Sequence, residues 1–136
     1  VDRVLDPELT KHGMPVALVG IVNSSDIYTR IEEMQVPGCR ALFASTGVKD
    51  DSLPAHYYID GLLAYNSVNT APVETIKAFH TNGLKKKVLP LSNTLIQEHF
   101  EKIALIGIDL EEVLDKQISD GLVAFEDAFR DIMESL

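Results

Sequence analysis

Two hydroxyls, a glycine and a lysine stand together in Ala44-Ser45-Thr46-Gly47-Val48-Lys49. Placed directly after an apolar run, such a loop can hold a phosphate: hydroxyls and backbone N–H groups donate, and the ammonium supplies charge. The same residues also describe an ordinary polar turn with an exposed lysine, and residue types alone leave both readings open. Asn69-Thr70-Ala71-Pro72 makes a second polar step after an apolar run, and there Thr70 is expected simply to cap the next helix. His12, His56, His80 and His99 are scattered, with no pair at helical spacing, so no metal site and no cofactor are expected. No nucleophile elbow, dinucleotide fingerprint or P-loop occurs. Paired carboxylates cannot be chosen from 21 acidic residues without a fold.

The elements that must carry these loops follow from the apolar pattern. Asp6-Pro7 has the form of an N-cap and first helical position, and Gly13 and Pro15 keep that helix short. Val19, Val22, Ile27, Ile31 and Met34 suggest one face of a helix within Val16–Met34, although by propensity alone the Val16–Val22 portion reads equally as a strand. Pro37-Gly38 turns the chain into a short buried strand, Arg40–Ala44, and Ser67–Thr70 reads as a second strand. A helix from Pro72 stops at Asn82-Gly83. Ser92 caps another that carries Leu95, Ile96, Phe100, Ile103 and Leu105 and stops at Gly107. Asp109 opens the last helix with capping-box spacing to Glu112. Leu122, Phe125, Phe129, Ile132 and Leu136 make an amphipathic stripe on it, expected to be core packing. Strand–helix–strand–helix order implies parallel pairing, because parallel strands need a crossover. Two strands are too few for a sheet covered on both faces, so the pattern reads as part of a larger α/β protein.

At 136 residues the chain has the size of one domain, and 46% hydrophobic with 24% charged residues suffices for a core. A net charge of −9 argues against nucleic acid and anionic membrane as partners. Lys85, Lys86 and Lys87 lack aromatic interleaving and read as a solvated loop or helix-end patch. No apolar run has the length to cross a bilayer and no secretory leader is visible. The single cysteine, Cys39, fits a reducing, cytoplasmic location and is expected to be a buried, inert thiol.

At the two polar loops the chain resembles the transaldolases. Leu42-Phe43-Ala44-Ser45-Thr46-Gly47-Val48-Lys49 is similar to the family's strand-seven segment, where Trp-Ala-Ser-Thr-Gly-Thr-Lys is common in one bacterial branch. Val68-Asn69-Thr70-Ala71-Pro72 resembles its strand-eight Val-Asn-Thr-Met-Pro. Tyr57-Tyr58-Ile59 with Leu62-Leu63 and Gly20-Ile21-Val22-Asn23 with Ile27-Tyr28 share the family spacing. So do Gly107-Ile108-Asp109-Leu110, Asp115, Gly121, Ala124-Phe125 and Phe129. Phe43, Val48 and Ala71 depart from the usual Trp, Thr and Met but keep bulk or apolar character. The Lys85–Ser92 stretch matches no motif.

The resemblance implies an α/β fold: residues 1–136 as one segment, the C-terminal part of a (β/α)8 TIM barrel, about strands seven and eight with their helices and the C-terminal helices. Val1 to Asp6 resembles the segment after strand six, just beyond an arginine that holds substrate phosphate in the family. Lys49 takes the place of a phosphate-binding basic residue, with Ser45 and Thr46 as neighbours and Asn69 and Thr70 at the substrate-face end of the second strand. The implied activity is the pentose-phosphate transfer of a dihydroxyacetone unit between sugar phosphates. A strand-four lysine forms the Schiff base, and an Asp and a Glu on earlier strands manage protons. No catalytic residue then falls in this chain. Lys49 is unsuited to the Schiff-base task, since a phosphate-binding lysine stays cationic and an attacking one must be neutral. The expected partners are sugar phosphates and the N-terminal part of the barrel, with homo-oligomerisation possible. A non-catalytic interaction protein and a different phosphate-binding barrel aldolase are the alternatives.

Overall fold

In the computed structural model, which describes residues 1–135, two strands of three residues form the whole sheet. Strand β1 (Ala41–Phe43) pairs in parallel with β2 (Ser67–Asn69), Leu42 facing Val68 in the register. The helices, in chain order, are α1 (Asp2–Lys11), α2 (Val19–Met34), α3 (Tyr57–Gly61), α4 (Val73–Asn82), α5 (Asn93–Leu105) and α6 (Leu110–Glu134). The connection between the two strands contains α3, so the parallel pairing expected from the order of elements is present.

Strand periodicity separates two environments. Ala41 and Phe43 are buried with Ile21, Tyr28, Leu62 and Leu89 in one core cluster, while Leu42 between them is 57% exposed. Successive side chains of a strand point to opposite faces. The helices therefore cover one face of this sheet, and Leu42 stands on the other, uncovered face. A second cluster of Leu5, Leu9, Val19 and Ile103 joins α1, α2 and α5, with Ile108, Leu110 and Val113 against it.

Several local expectations hold. Ser92 Oγ accepts from the Leu95 N–H at 3.3 Å, and Asp109 Oδ1 accepts from Glu111 and Glu112 at 3.0 and 3.2 Å. The carbonyls at the end of α5 are taken by Gly107 and Ile108, whose N–H groups reach Ala104 and Ile103 at 2.9 and 3.3 Å. Lys85, Lys86 and Lys87 lie in an exposed loop, the Lys87 ammonium 4.7 Å from the Tyr65 ring centre.

Others are corrected. Helix α1 starts at Asp2, with Pro7 inside it, and Asp6 does not cap it: its Oδ1 accepts the Ala17 N–H at 2.9 Å. The buried face of α2 is Val19, Ile21, Val22, Ser25 and Tyr28, whereas Ile27 and Met34 are exposed. Ser25 and Tyr28 can sit inside because each hydroxyl finds a partner, Ser25 Oγ accepting from Leu91 N and Tyr28 donating to the Tyr65 carbonyl. Cys39 is exposed, since β1 begins only at Ala41 and Cys39 belongs to the preceding turn. In the unmatched Lys85–Ser92 stretch, Leu89 is fully buried and Val88 and Leu89 both donate to the Leu63 carbonyl.

The C-terminal stripe does not pack in a core. Leu122, Phe125, Phe129 and Ile132 are 61, 78, 66 and 59% exposed, and Leu136 lies outside the described residues. Leu110 and Val113, in the first turn of α6, rest on the second cluster, and none of the helix's described residues is buried.

His99 of α5 is buried, and its Nε2 has no hydrogen-bond partner. Burial, aided by the Lys102 charge and opposed by Asp2, holds this imidazole below its ordinary value of 6.5. As pH falls the unfolded chain takes up the proton first, so His99 makes stability fall as pH drops below 6.5 towards the folded value. The loss of urea midpoint between about pH 7.5 and about pH 5.5 is expected to be smaller in His99→Gln, which has no such proton to bind.

Candidate functional site

Thr70 joins the two strand ends. Its N–H donates to the Phe43 carbonyl at 2.9 Å, and its own carbonyl accepts from Thr46 N at 3.0 Å. Thr70 Oγ1 accepts the Ser45 N–H at 3.1 Å, so Thr70 does not cap α4, which has no side-chain cap. The expected cap is overturned by the continuation of the ladder past Asn69, which turns that hydroxyl towards the neighbouring strand.

The loop after β1 is held from several sides. Ser45 adopts a positive φ of 58°, an uncommon conformation for a residue with a Cβ. Thr46 is buried, its hydroxyl 2.5 Å from Asn69 Oδ1 and 3.0 Å from the Thr70 carbonyl, so its proton stays within the loop. Gly47 passes so close to the start of α4 that a Cβ there would lie 3.0 Å from Pro72 Cδ and 3.1 Å from Cγ. These contacts leave Ser45 and Lys49 exposed at the rim. Asn69 Nδ2 is buried without a partner.

That rim lines a cavity of about 760 Å³ between the loop, α1 and the start of α2. Ser45, Thr46 and Lys49 all border it; Asn69 and Thr70 do not, and act on it only through the loop they tie down. Arg3, on the first turn of α1, lines the same cavity. The sequence reading does not single out Arg3; the arginine that the resemblance implies is a different residue, just ahead of Val1 and outside residues 1–136. The available signal is an Arg one turn into the matched stretch.

Three carboxylates, Asp2, Asp6 and Asp50, also border the cavity, and their charge opposes an anion. Each is already engaged by protein donors. Asp2 accepts from Gly20 N and Tyr58 Oη, both at 2.7 Å, Asp6 from Ala17 N, and Asp50 from Ser52 N at 2.8 Å. Burial, outweighing the Ala17 bond and joined by the charges of Asp2 and Asp50, raises Asp6 from its ordinary value. The Ser52 N–H and hydroxyl lower Asp50. Among the described residues neither Arg3 nor Lys49 forms an ion pair with any of the three, or with any other acid. Each of the three carboxylates thus accepts at least one protein hydrogen bond, whereas the two cations have no acidic partner among the described residues. Among the described residues no group of three or more His, Cys, Asp or Glu is placed to hold a metal ion, and no helix is long and apolar enough to cross a membrane.

Residues 1–136 match a family model described as Transaldolase/Fructose-6-phosphate aldolase. A transaldolase of Campylobacter jejuni subsp. jejuni serotype O:23/36 (strain 81-176) is 42% identical over 135 residues, covering 99% of this chain and 39% of the relative. One of Helicobacter pylori (strain ATCC 700392 / 26695) is 35% identical over 134 residues, covering 98% of this chain and 42% of the relative. The chain thus spans about two-fifths of the length of the curated relatives it matches.

Proposed function

The chain belongs to the transaldolase/fructose-6-phosphate aldolase family, and from that premise we propose that it forms the phosphate-holding side of a transaldolase site. The family implies a TIM barrel, and a mainly helical chain with one parallel strand pair fits part of one. In this reading β1 and β2 are strands seven and eight, and the uncovered face bearing Leu42 turns towards the barrel interior. Loops after strands seven and eight are where barrels commonly bind phosphate.

The observation that carries the reading is the charge arrangement: Arg3 and Lys49 border one cavity without acidic partners among the described residues, while every carboxylate there accepts at least one protein hydrogen bond. A sugar-phosphate dianion supplies the missing counter-charge. Lys49 and Arg3 provide cations and Ser45 a hydroxyl, while Thr46, Asn69 and Thr70 keep the loop in shape. The reaction transfers a dihydroxyacetone unit from a ketose phosphate to an aldose phosphate. A lysine outside residues 1–136 forms the Schiff base with the ketose carbonyl, so that the carbanion left by C–C cleavage delocalises onto nitrogen.

Borohydride reduction of the intact protein in the presence of fructose 6-phosphate tests this. A covalent adduct is expected on a lysine outside residues 1–136, found by peptide mass mapping. An adduct on Lys49, or none at all, would overturn the reading. Release of the three-carbon product without any acceptor aldehyde would instead favour the aldolase named in the family description.

A further inference from the structure

Helix α2 begins without help from its own flank: Leu18 is its N-cap residue and no side chain there accepts from the first turn. The acceptor comes from 18 residues away, where Asp2 Oδ1 takes the Gly20 N–H at 2.7 Å. A carboxylate at the start of a helix satisfies an orphan donor and meets the positive end of the helix dipole. The approach is close, since a Cβ on residue 20 would stand 3.2 Å from Asp2 Oδ2. The second oxygen accepts from Tyr58 Oη at 2.7 Å, a bond spanning 56 residues that brings in α3. Asp2 is only 6% exposed, and neither oxygen is left bare.

We infer that Asp2 and Tyr58 are positioning residues for the anion site: Asp2 ties the first turn of α1 to α2 through Gly20 and to α3 through Tyr58, and so fixes Arg3, the next residue, at the cavity. The inference rests on the proposed phosphate reading. Its basis is that both oxygens of the buried Asp2 are held, one by each of two other helices. Asp2 and Tyr58 line the cavity together with Arg3, which places the anchor beside the group it would aim. The same contact leaves its mark on Tyr58, whose phenol is pushed above its ordinary value by burial first and by the Asp2 bond second. Removing the Tyr58 hydroxyl leaves α1 attached by the apolar Leu5 and Leu9 and by the Gly20 bond, but releases the tie to α3 that holds Asp2 from its other side.

The test uses Tyr58→Phe and Asp2→Ala in the intact protein, with circular dichroism to check folding. Titration with inorganic phosphate and steady-state kinetics with fructose 6-phosphate are the readouts. Tyr58→Phe is expected to weaken phosphate binding and raise KM by about fivefold with kcat nearly unchanged. In the background of Arg3→Ala it should add almost nothing, because a group that acts through Arg3 has no effect once Arg3 is gone. A fall in kcat at unchanged KM, or a penalty that adds fully to that of Arg3→Ala, overturns the inference and leaves Tyr58 a general stabiliser. If Arg3→Ala and Lys49→Ala themselves leave phosphate binding untouched, the underlying phosphate reading fails. If those two weaken binding and Tyr58→Phe does not, only the positioning role fails.

Discussion

Lys49→Met in the intact protein is expected to lower kcat/KM for fructose 6-phosphate roughly thirtyfold, equivalent to about 2 kcal/mol for a charge-assisted contact to a dianion. The effect is large because, among the described side chains that line the cavity, Arg3 supplies the one other positive charge. Asp2, Asp6 and Asp50 line it with Arg3 and Lys49, so deleting one cation leaves one positive group among three carboxylates. Their bonds to Gly20, Tyr58, Ala17 and Ser52 quench part of that negative potential but do not reverse it. Methionine keeps the length and apolar stem, which separates charge from packing. Lys49→Arg should recover much of the activity. Lys77→Met, which removes an exposed lysine paired with Glu74 on α4, should leave the kinetics as they are. Unchanged kcat/KM in Lys49→Met would remove Lys49 from the site.

The legible part of this fold is local. The Ser92 and Asp109 caps act across two or three residues, so spacing in the chain is spacing in the fold. The two strands show as apolar runs ending in small polar residues, while residue types alone leave the loop after β1 open between a phosphate loop and an ordinary polar turn. Asp2 is the opposite case. Its partners lie 18 and 56 residues away, and nothing in the pattern around it marks a cap for another helix. Arg3 escapes with it, since its value depends on where α1 is anchored. Buried polar residues mislead in α2: an apolar stripe through Ile27 and Met34 fails, because Ser25 and Tyr28 are the inward groups and their hydroxyls find distant partners. Thr70 has the look of a cap in sequence, but strand pairing, a long-range event, decides which way its hydroxyl turns.

Residues 1–136 prepared alone are expected to give no transfer from fructose 6-phosphate to erythrose 4-phosphate, even at protein concentrations where the intact protein is fast. In the proposed mechanism the Schiff-base lysine and both proton-handling acids belong to strands that this stretch does not contain, and binding without a nucleophile leaves the C–C bond intact. More than half of the relatives' length lies outside the matched stretch, which is room enough for those strands. The same absence bears on association. Each strand of the described pair has one edge bonded to its neighbour and one without a ladder partner, and such edges template pairing with other chains. Leu42 at 57% exposure on the sheet's open face, and Phe125 and Phe129 at 78 and 66% on α6, add apolar surface that water solvates poorly. Sedimentation of the isolated segment should therefore show mass rising with concentration, and adding the remaining part of the protein should suppress that rise and restore turnover together. Turnover by the segment alone at the intact protein's rate would place the chemistry within residues 1–136 and undo the division of labour proposed between its two parts.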